Sequence, residues 1–163
     1  MRVWVAGEQD AERVSSLMAA FRDHIGRDQP TDDEIRATVD ALLREADTEF
    51  LLASPDGRDA AAGVCQLRYR LSVWTAAADC WLEDIYVSDE ARGTGLGRAL
   101  IAEAFERARA RGCRRVQLDV AEDNERAIEV YTRAGFGTQP GAPGRTMLIS
   151  RSTSLGNETR CQT

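Results

Sequence analysis

The chain has 163 residues, 43% of them hydrophobic and 29% charged, a composition that supports one globular domain with a full core. Its formal net charge of −6 argues against nucleic acid as a partner, because phosphate backbones need a basic face, and is compatible with a cationic substrate. The start MRVWVAGEQD lacks the features of a signal peptide and no apolar run reaches bilayer length, so a cytoplasmic protein away from membranes is expected.

Cys65, Cys80, Cys113 and Cys161 are scattered, and the single histidine, His24, has no ligand partner nearby in sequence, so reduced thiols and no metal site are expected.

In chain order, Arg2 to Ala6 alternates as a short strand. From Asp10, Val14, Leu17, Met18, Phe21 and Ile25 form a helical stripe. Thr31 and Glu34 make a capping box for a second helix, which buries Ile35, Val39, Leu42 and Leu43. Glu49 to Ala53 is a strand, and SPDGRD is turn chemistry. A long antiparallel strand follows, with Cys65, Leu67, Tyr69, Leu71 and Val73 on one face and Gln66, Arg68, Arg70 and Ser72 on the other.

TAAAD closes that hairpin onto CWLEDIYV, Cys80 to Val87, a central strand apolar on both faces except at Glu83 and Asp84. Alternation sends these two carboxylates to opposite faces unless a bulge intervenes. A long helix then buries Leu96, Leu100, Ile101, Ala104, Phe105 and Ala108, and stops at Gly112. RRVQLDV is a strand with Val116, Leu118 and Val120 facing one way. Asn124 or Asp123 caps a short helix carrying Ile128, Tyr131 and Ala134, which ends at Gly135. FGTQPGAPGRTMLIS reads as a final hairpin-like return, and the polar tail from Arg151 as mobile, leaving residues 1–150 as one mixed α/β domain.

The stretch VSDEARGTGLGRAL places Gly93, Gly95 and Gly97 at a helix start. Free N–H groups and the helix dipole favour an anion there, and glycines let the backbone converge on it. A tight turn relieving sterics is the plainer alternative. A P-loop fails, because Gly97 is followed by Arg98 and Ala99 where Lys and Ser or Thr are needed. A dinucleotide fold fails too, because the glycines alternate and SDEAR separates them from the strand.

The run from Arg92 to Gly97 resembles the Q/R-x-x-G-x-G/A signature of the GNAT superfamily of N-acetyltransferases. The likeness extends through LEDIYV, the long helix, QLDVAEDN and the A-I-x-x-Y-x-x-x-G-F run ending at Phe136. It implies a mixed, mostly antiparallel sheet flanked by about four helices, with Trp81–Val87 and Val116–Val120 splayed around acetyl-coenzyme A as acyl donor. It assigns the pyrophosphate to the backbone N–H groups of Arg92, Gly93, Thr94, Gly95, Leu96 and Gly97, with Arg98 adjoining. Ile85 and Val87 would meet the pantetheine arm, and Asn124 would hydrogen-bond the cofactor. Asp89 departs from the proline common after this strand. Relatives are frequently dimers, so a homodimer is the default expectation.

The resemblance places Tyr131 as the general acid for the departing thiolate; its position on an apolar helix face equally suits the core. Glu83 is the candidate general base, since burial would raise its pKa, with a structural ion pair to Arg68 or Arg70 as the alternative. LEDIYV is similar to the L-E-D-[FIL]-[FY]-V strand of small-amine and polyamine acetyltransferases, which implies that Glu83 and Asp84 serve a cationic substrate. The acceptor should meet the two N-terminal helices and the connection GRDQP, where DQPTDDE either attracts a cation or serves the helix dipole. The expected activity is acetyl transfer to a small primary amine by direct attack on the thioester. Acetylation of a protein N-terminus or lysine, and coenzyme A binding without turnover, are the alternatives.

Overall fold

A computed structural model describes residues 1–55 and 60–138, together with the backbone of the strand Gly144–Ser150. The elements run β1 (Arg2–Val5), α1 (Ala11–His24), α2 (Asp32–Leu42), β2 (Thr48–Ser54), β3 (Gly63–Ser72), β4 (Ala77–Val87), α3 (Leu96–Ala110), β5 (Arg115–Ala121), α4 (Glu125–Arg133) and β6 (Gly144–Ser150). The six strands lie side by side in chain order, antiparallel from β1 to β4 and parallel from β4 to β6. The turn between β3 and β4 gives an antiparallel pair, as does the two-helix connection from β1 to β2, whereas the single-helix crossovers through α3 and α4 give parallel pairs. Of the hairpin-like return expected after Phe136, the structure describes β6, which runs parallel to β5; residues 139–143 lie outside the described residues. The polar tail from Arg151 lies outside the described residues.

Each sheet face has its own core. On one, Leu51, Cys65, Leu67, Cys80 and Leu82 pack against Leu96, Leu100, Ile101 and Ala104 of α3 and Tyr131 of α4. On the other, Phe50, Leu52, Val64 and Tyr86 pack against Val14 and Leu17 of α1 and Ile35 and Val39 of α2. Period-2 strand patterning supplies both layers, because neighbouring residues point to opposite faces. The stripe assigned to β3 holds through Tyr69; Leu71 and Val73 stand 85% and 89% exposed, at the hairpin tip beyond the helical layer. The capping box is present: Glu34 N–H donates to Thr31 Oγ1 (3.3 Å) and Thr31 N–H to Glu34 Oε2 (2.8 Å). Among the described residues no helix is long and apolar enough to cross a membrane, and no cluster of His, Cys, Asp or Glu could hold a metal.

Two buried ionic clusters fix the frame. Asp79 on β4 and Arg115 on β5 are register partners and form a buried ion pair, with Thr75 Oγ1 donating to Asp79 Oδ1 at 3.0 Å. Glu49 on β2 accepts from Arg107 Nε (2.9 Å), Arg111 Nη2 (2.8 Å) and Tyr69 Oη (3.0 Å), tying the end of α3 to the sheet. Burial alone raises the Glu49 carboxyl, but these donors outweigh it and hold the group down at about 2. A depressed carboxylate stabilises the fold above its unfolded value of about 4.3, and that contribution drains away as pH falls toward about 2. Glu49→Gln is therefore expected to lose about 3 kcal/mol at pH 7, at the lower end for a broken buried pair because both arginines can reach water. Urea melts at pH 7 and pH 3 test this, and the gap between variant and parent must narrow at the lower pH.

Candidate functional site

The site grows from one irregularity. Along β3 and β4 the register jumps between Gln66 opposite Asp84 and Leu67 opposite Leu82, leaving Glu83 as the extra residue of a β-bulge. Where the bulge falls, the β4–β5 ladder ends, for it joins only Asp79–Leu82 to Arg115–Leu118. Beyond it β4 stays with β3, and β5 stays with β6 as far as Ala121. Each strand keeps its outer neighbour and they part from one another, opening a cleft in mid-sheet. Ser88 N–H donates to Ala62 C=O at 2.9 Å, so antiparallel alternation turns the N–H and C=O groups of Ile85 and Val87 toward this cleft.

At the mouth of the cleft, a 3-10 turn (Asp89–Ala91) leads into the glycine stretch and α3. Gly93 and Gly95 have φ of +79° and +89°, a left-handed backbone that other residues adopt at a cost. Thr94 Oγ1 donates to Ala91 C=O (2.7 Å) and braces the loop. Among the described residues, the Arg92 N–H donates to Asp89 C=O (3.3 Å) and the next such backbone bond is Ala99 N–H to Gly95 C=O. Among the described residues the N–H groups from Gly93 to Arg98 thus have no backbone acceptor, a run that overlaps the stretch Arg92–Gly97, with Arg98 adjoining, named from the sequence. A Cβ at Gly93 would meet nothing within 4 Å, which fits a surface left clear for a ligand. The Arg92 side chain is committed elsewhere, to Val87 C=O (3.3 Å), Asp89 (2.8 Å) and His24 Nε2 (3.1 Å). This ties the loop to the end of α1.

On the α1–α2 side, the cleft meets a cavity of about 270 Å³. Met18, Phe21, Ile35, Val39, Leu42 and Phe50 form its apolar walls, while Gln66 and Asp84 belong to the sheet beneath. The connection between the helices closes it with Arg27, Gln29 and Pro30. The acidic residues after it serve structure: Asp32 pairs with Arg22 (2.8 Å) and Glu34 completes the capping box.

The bulge also corrects the reading of the two carboxylates. Simple alternation separates Glu83 from Asp84, yet Asp84 lies opposite Gln66 and Glu83 lies 4.0 Å from Arg68, and those β3 residues share a face. The burial expected of Glu83 falls instead, in part, on Asp84, which is half-buried. Glu83 is 43% exposed beside its arginine, whereas burial first, and the charge of Glu83 second, raise the Asp84 carboxyl, with Arg27 opposing.

Tyr131 is buried on the far side of the sheet, edge-on to Phe136 at 5.8 Å. Its phenol is pushed well above the ordinary range, by burial and then by the neighbouring Cys65 and Asp84. Its hydroxyl makes no hydrogen bond among the described residues, so its proton is free to be donated. Asn124 caps α4, accepting from Ala127 N–H (3.1 Å), which leaves its amide NH2 available. Sequence reasoning flagged the loop GRDQP but not Arg27 within it, and missed Gln66 and the His24–Arg92 contact, because these depend on distant segments meeting.

A parting pair of parallel strands, with a glycine-lined helix start at the mouth and a half-open cavity on the α1–α2 side, defines a mixed α/β domain with a cleft in mid-sheet. Residues 12–136 match the family model described as Acetyltransferase (GNAT) family, and the chain belongs to that family. It is 33% identical over 145 residues to the mycothiol acetyltransferase of Kineococcus radiotolerans, covering 83% of this chain and 42% of that one. It is 37% identical over 78 residues to the thialysine N-epsilon-acetyltransferase of Sus scrofa, covering 45% of each. The chain thus spans a little under half the length of these curated relatives. A solved structure described as a probable acetyltransferase superposes with a TM-score of 0.81 at 28% identity, covering 92% of this chain and 99% of that one.

Proposed function

We propose that this protein transfers an acetyl group from acetyl-coenzyme A to the primary amine of a small molecule by direct attack on the thioester. The observation that carries this reading is that β4 parts from β5 beside Asp84, with Tyr131 on the other side of the sheet yet near enough for the charge of Asp84 to raise its phenol. The relatives named for small molecules, thialysine and mycothiol, support the same class of acceptor.

When bound, acetyl-coenzyme A supplies the acyl group as a thioester and departs as a thiol. The loop fits it, since the N–H groups from Gly93 to Arg98 lack backbone acceptors and would hold the pyrophosphate. Ile85 and Val87 would offer their cleft-facing backbone groups to the pantetheine amides, and Asn124 its amide. The N–H of Ile85 would also steady the carbonyl oxygen as charge develops there. Asp84 would hold the acceptor's ammonium and take its proton, since an alkylamine with pKa about 10.4 must be neutral to attack. Tyr131 would give its proton to the departing sulfur. Glu83 beside Arg68 would set the charge around Asp84 without meeting the acceptor directly.

Release of free thiol from acetyl-coenzyme A in the presence of small amines tests the proposal, with peptides as the contrast. Transfer to peptides alone would move the function to protein acetylation, and tight donor binding with no thiol from any amine would leave a coenzyme A-binding domain. Gly95→Val, which forces a branched residue into φ +89°, should weaken donor binding about tenfold or more by calorimetry and leave the melting temperature within a few degrees.

A further inference from the structure

The cavity behind the cleft has a charge pattern that the activity alone does not explain. Its walls are mostly apolar, with Gln29, Thr38 and Gln66 as neutral polar side chains, and the one carboxylate among its lining residues is Asp84. Two guanidinium groups line it as well. That of Arg22 is used internally, bonded to Pro30 C=O (2.7 Å), Asp23 (2.6 Å) and Asp32 (2.8 Å), and so fixes the helix connection. That of Arg27 makes no ion pair or hydrogen bond among the described residues, yet lies close enough to Asp84 for its charge to act on that carboxyl.

We infer that the acceptor is a primary monoamine on an apolar alkyl or aromatic body, its far end neutral or anionic, with Asp84 and Arg27 as the residues that select it. This inference rests on the proposed acetyl transfer and names its substrate class. A single half-buried carboxylate balances a single ammonium. A second ammonium, as in spermidine, would meet Arg27 and apolar walls with no counter-charge among the lining residues, and like charges brought together are disfavoured. Polyhydroxylated oligoamines are disfavoured on both counts, since beyond Gln29, Thr38 and Gln66 the walls of Met18, Phe21, Ile35, Val39, Leu42 and Phe50 offer their many hydroxyls no partner. An alkyl chain or aromatic ring, by contrast, gains by leaving water for those walls. A carboxylate at the far end would find the uncommitted Arg27. The likeness of LEDIYV to the polyamine-type strand therefore does not extend to the cavity, because the bulge exposes Glu83 beside Arg68 and leaves Asp84 alone inside.

The test compares kcat/KM for 2-phenylethylamine, 4-(2-aminoethyl)benzoate, 1,4-diaminobutane and spermidine by thiol release, and the binding of each by calorimetry without the donor. The expected result is a preference for the two aromatic monoamines over the polyamines of about 10²-fold. Arg27→Gln should shrink that ratio and abolish any gain from the benzoate carboxylate. Equal or better turnover of spermidine would overturn the inference and leave the acetyl-transfer proposal standing. Binding of 2-phenylethylamine that Asp84→Asn abolishes, without thiol release from any amine, would uphold the cavity assignment and sink the enzymatic reading. Failure of either aromatic amine to bind or react would overturn the inference outright.

Discussion

Replacing Tyr131 with phenylalanine is expected to lower kcat by about 10²-fold or more while the affinity for acetyl-coenzyme A stays within about twofold. Phenylalanine keeps the ring that meets Phe136 at 5.8 Å and removes only the hydroxyl, so packing and fold are retained. The sign of the pH response follows from the environment of the phenol. Burial and its titratable neighbours raise its pKa, so the group keeps its proton through the neutral range, and activity owed to it falls only above the ordinary phenol value of about 10. Rapid-mixing kinetics and calorimetric donor titration separate the two quantities. Parallel loss of kcat and donor affinity would make Tyr131 a structural residue of the α4 face.

The second large effect belongs to Asp84. Asp84→Asn is expected to lower kcat/KM for the amine by about 10²-fold, while Glu83→Gln, on an exposed side chain, changes it by no more than about threefold. Burial and the adjacent Glu83 raise the Asp84 carboxyl, so protonation disables it at a pH above the ordinary aspartate value of about 3.9. The pH profile of kcat/KM should therefore carry an acid limb above that value, and the asparagine variant should lose it. Glu83→Gln should also lower that limb, because it removes a charge that raises the pKa of Asp84. A larger loss in the glutamine variant would return the base to Glu83.

These two residues mark how far the sequence could be read. Tyr131 and the glycine stretch could be proposed from sequence because each rests on a local pattern: a turn signature before a helix, and a tyrosine at fixed spacing from Gly135 and Phe136. The helices from Asp10 and Thr31, with their buried faces and capping box, were legible from periodicity for the same reason. The carboxylate pair was legible as chemistry and not as geometry. Strict alternation separates Glu83 from Asp84, and the break in register at Gln66 and Leu67 depends on how β3 and β4 pair, a partnership no single strand encodes. The stripe through Leu71 and Val73 was misplaced in a similar way: the pattern continues, but the covering helices end before it.

Composition, periodicity and local motifs thus determined the four helices, the order of the first five strands and the family. They could do so because each arises from neighbours within a turn or two of chain, where backbone geometry sets which side chains share a face. Tertiary structure alone decided where β4 and β5 part, which carboxylate is withdrawn from water, and that Arg27 stands with Asp84 around one apolar cavity. Those outcomes turn on desolvation and on charges from segments far apart in sequence, and a side chain acquires that environment only when the sheet and both helical layers close around it.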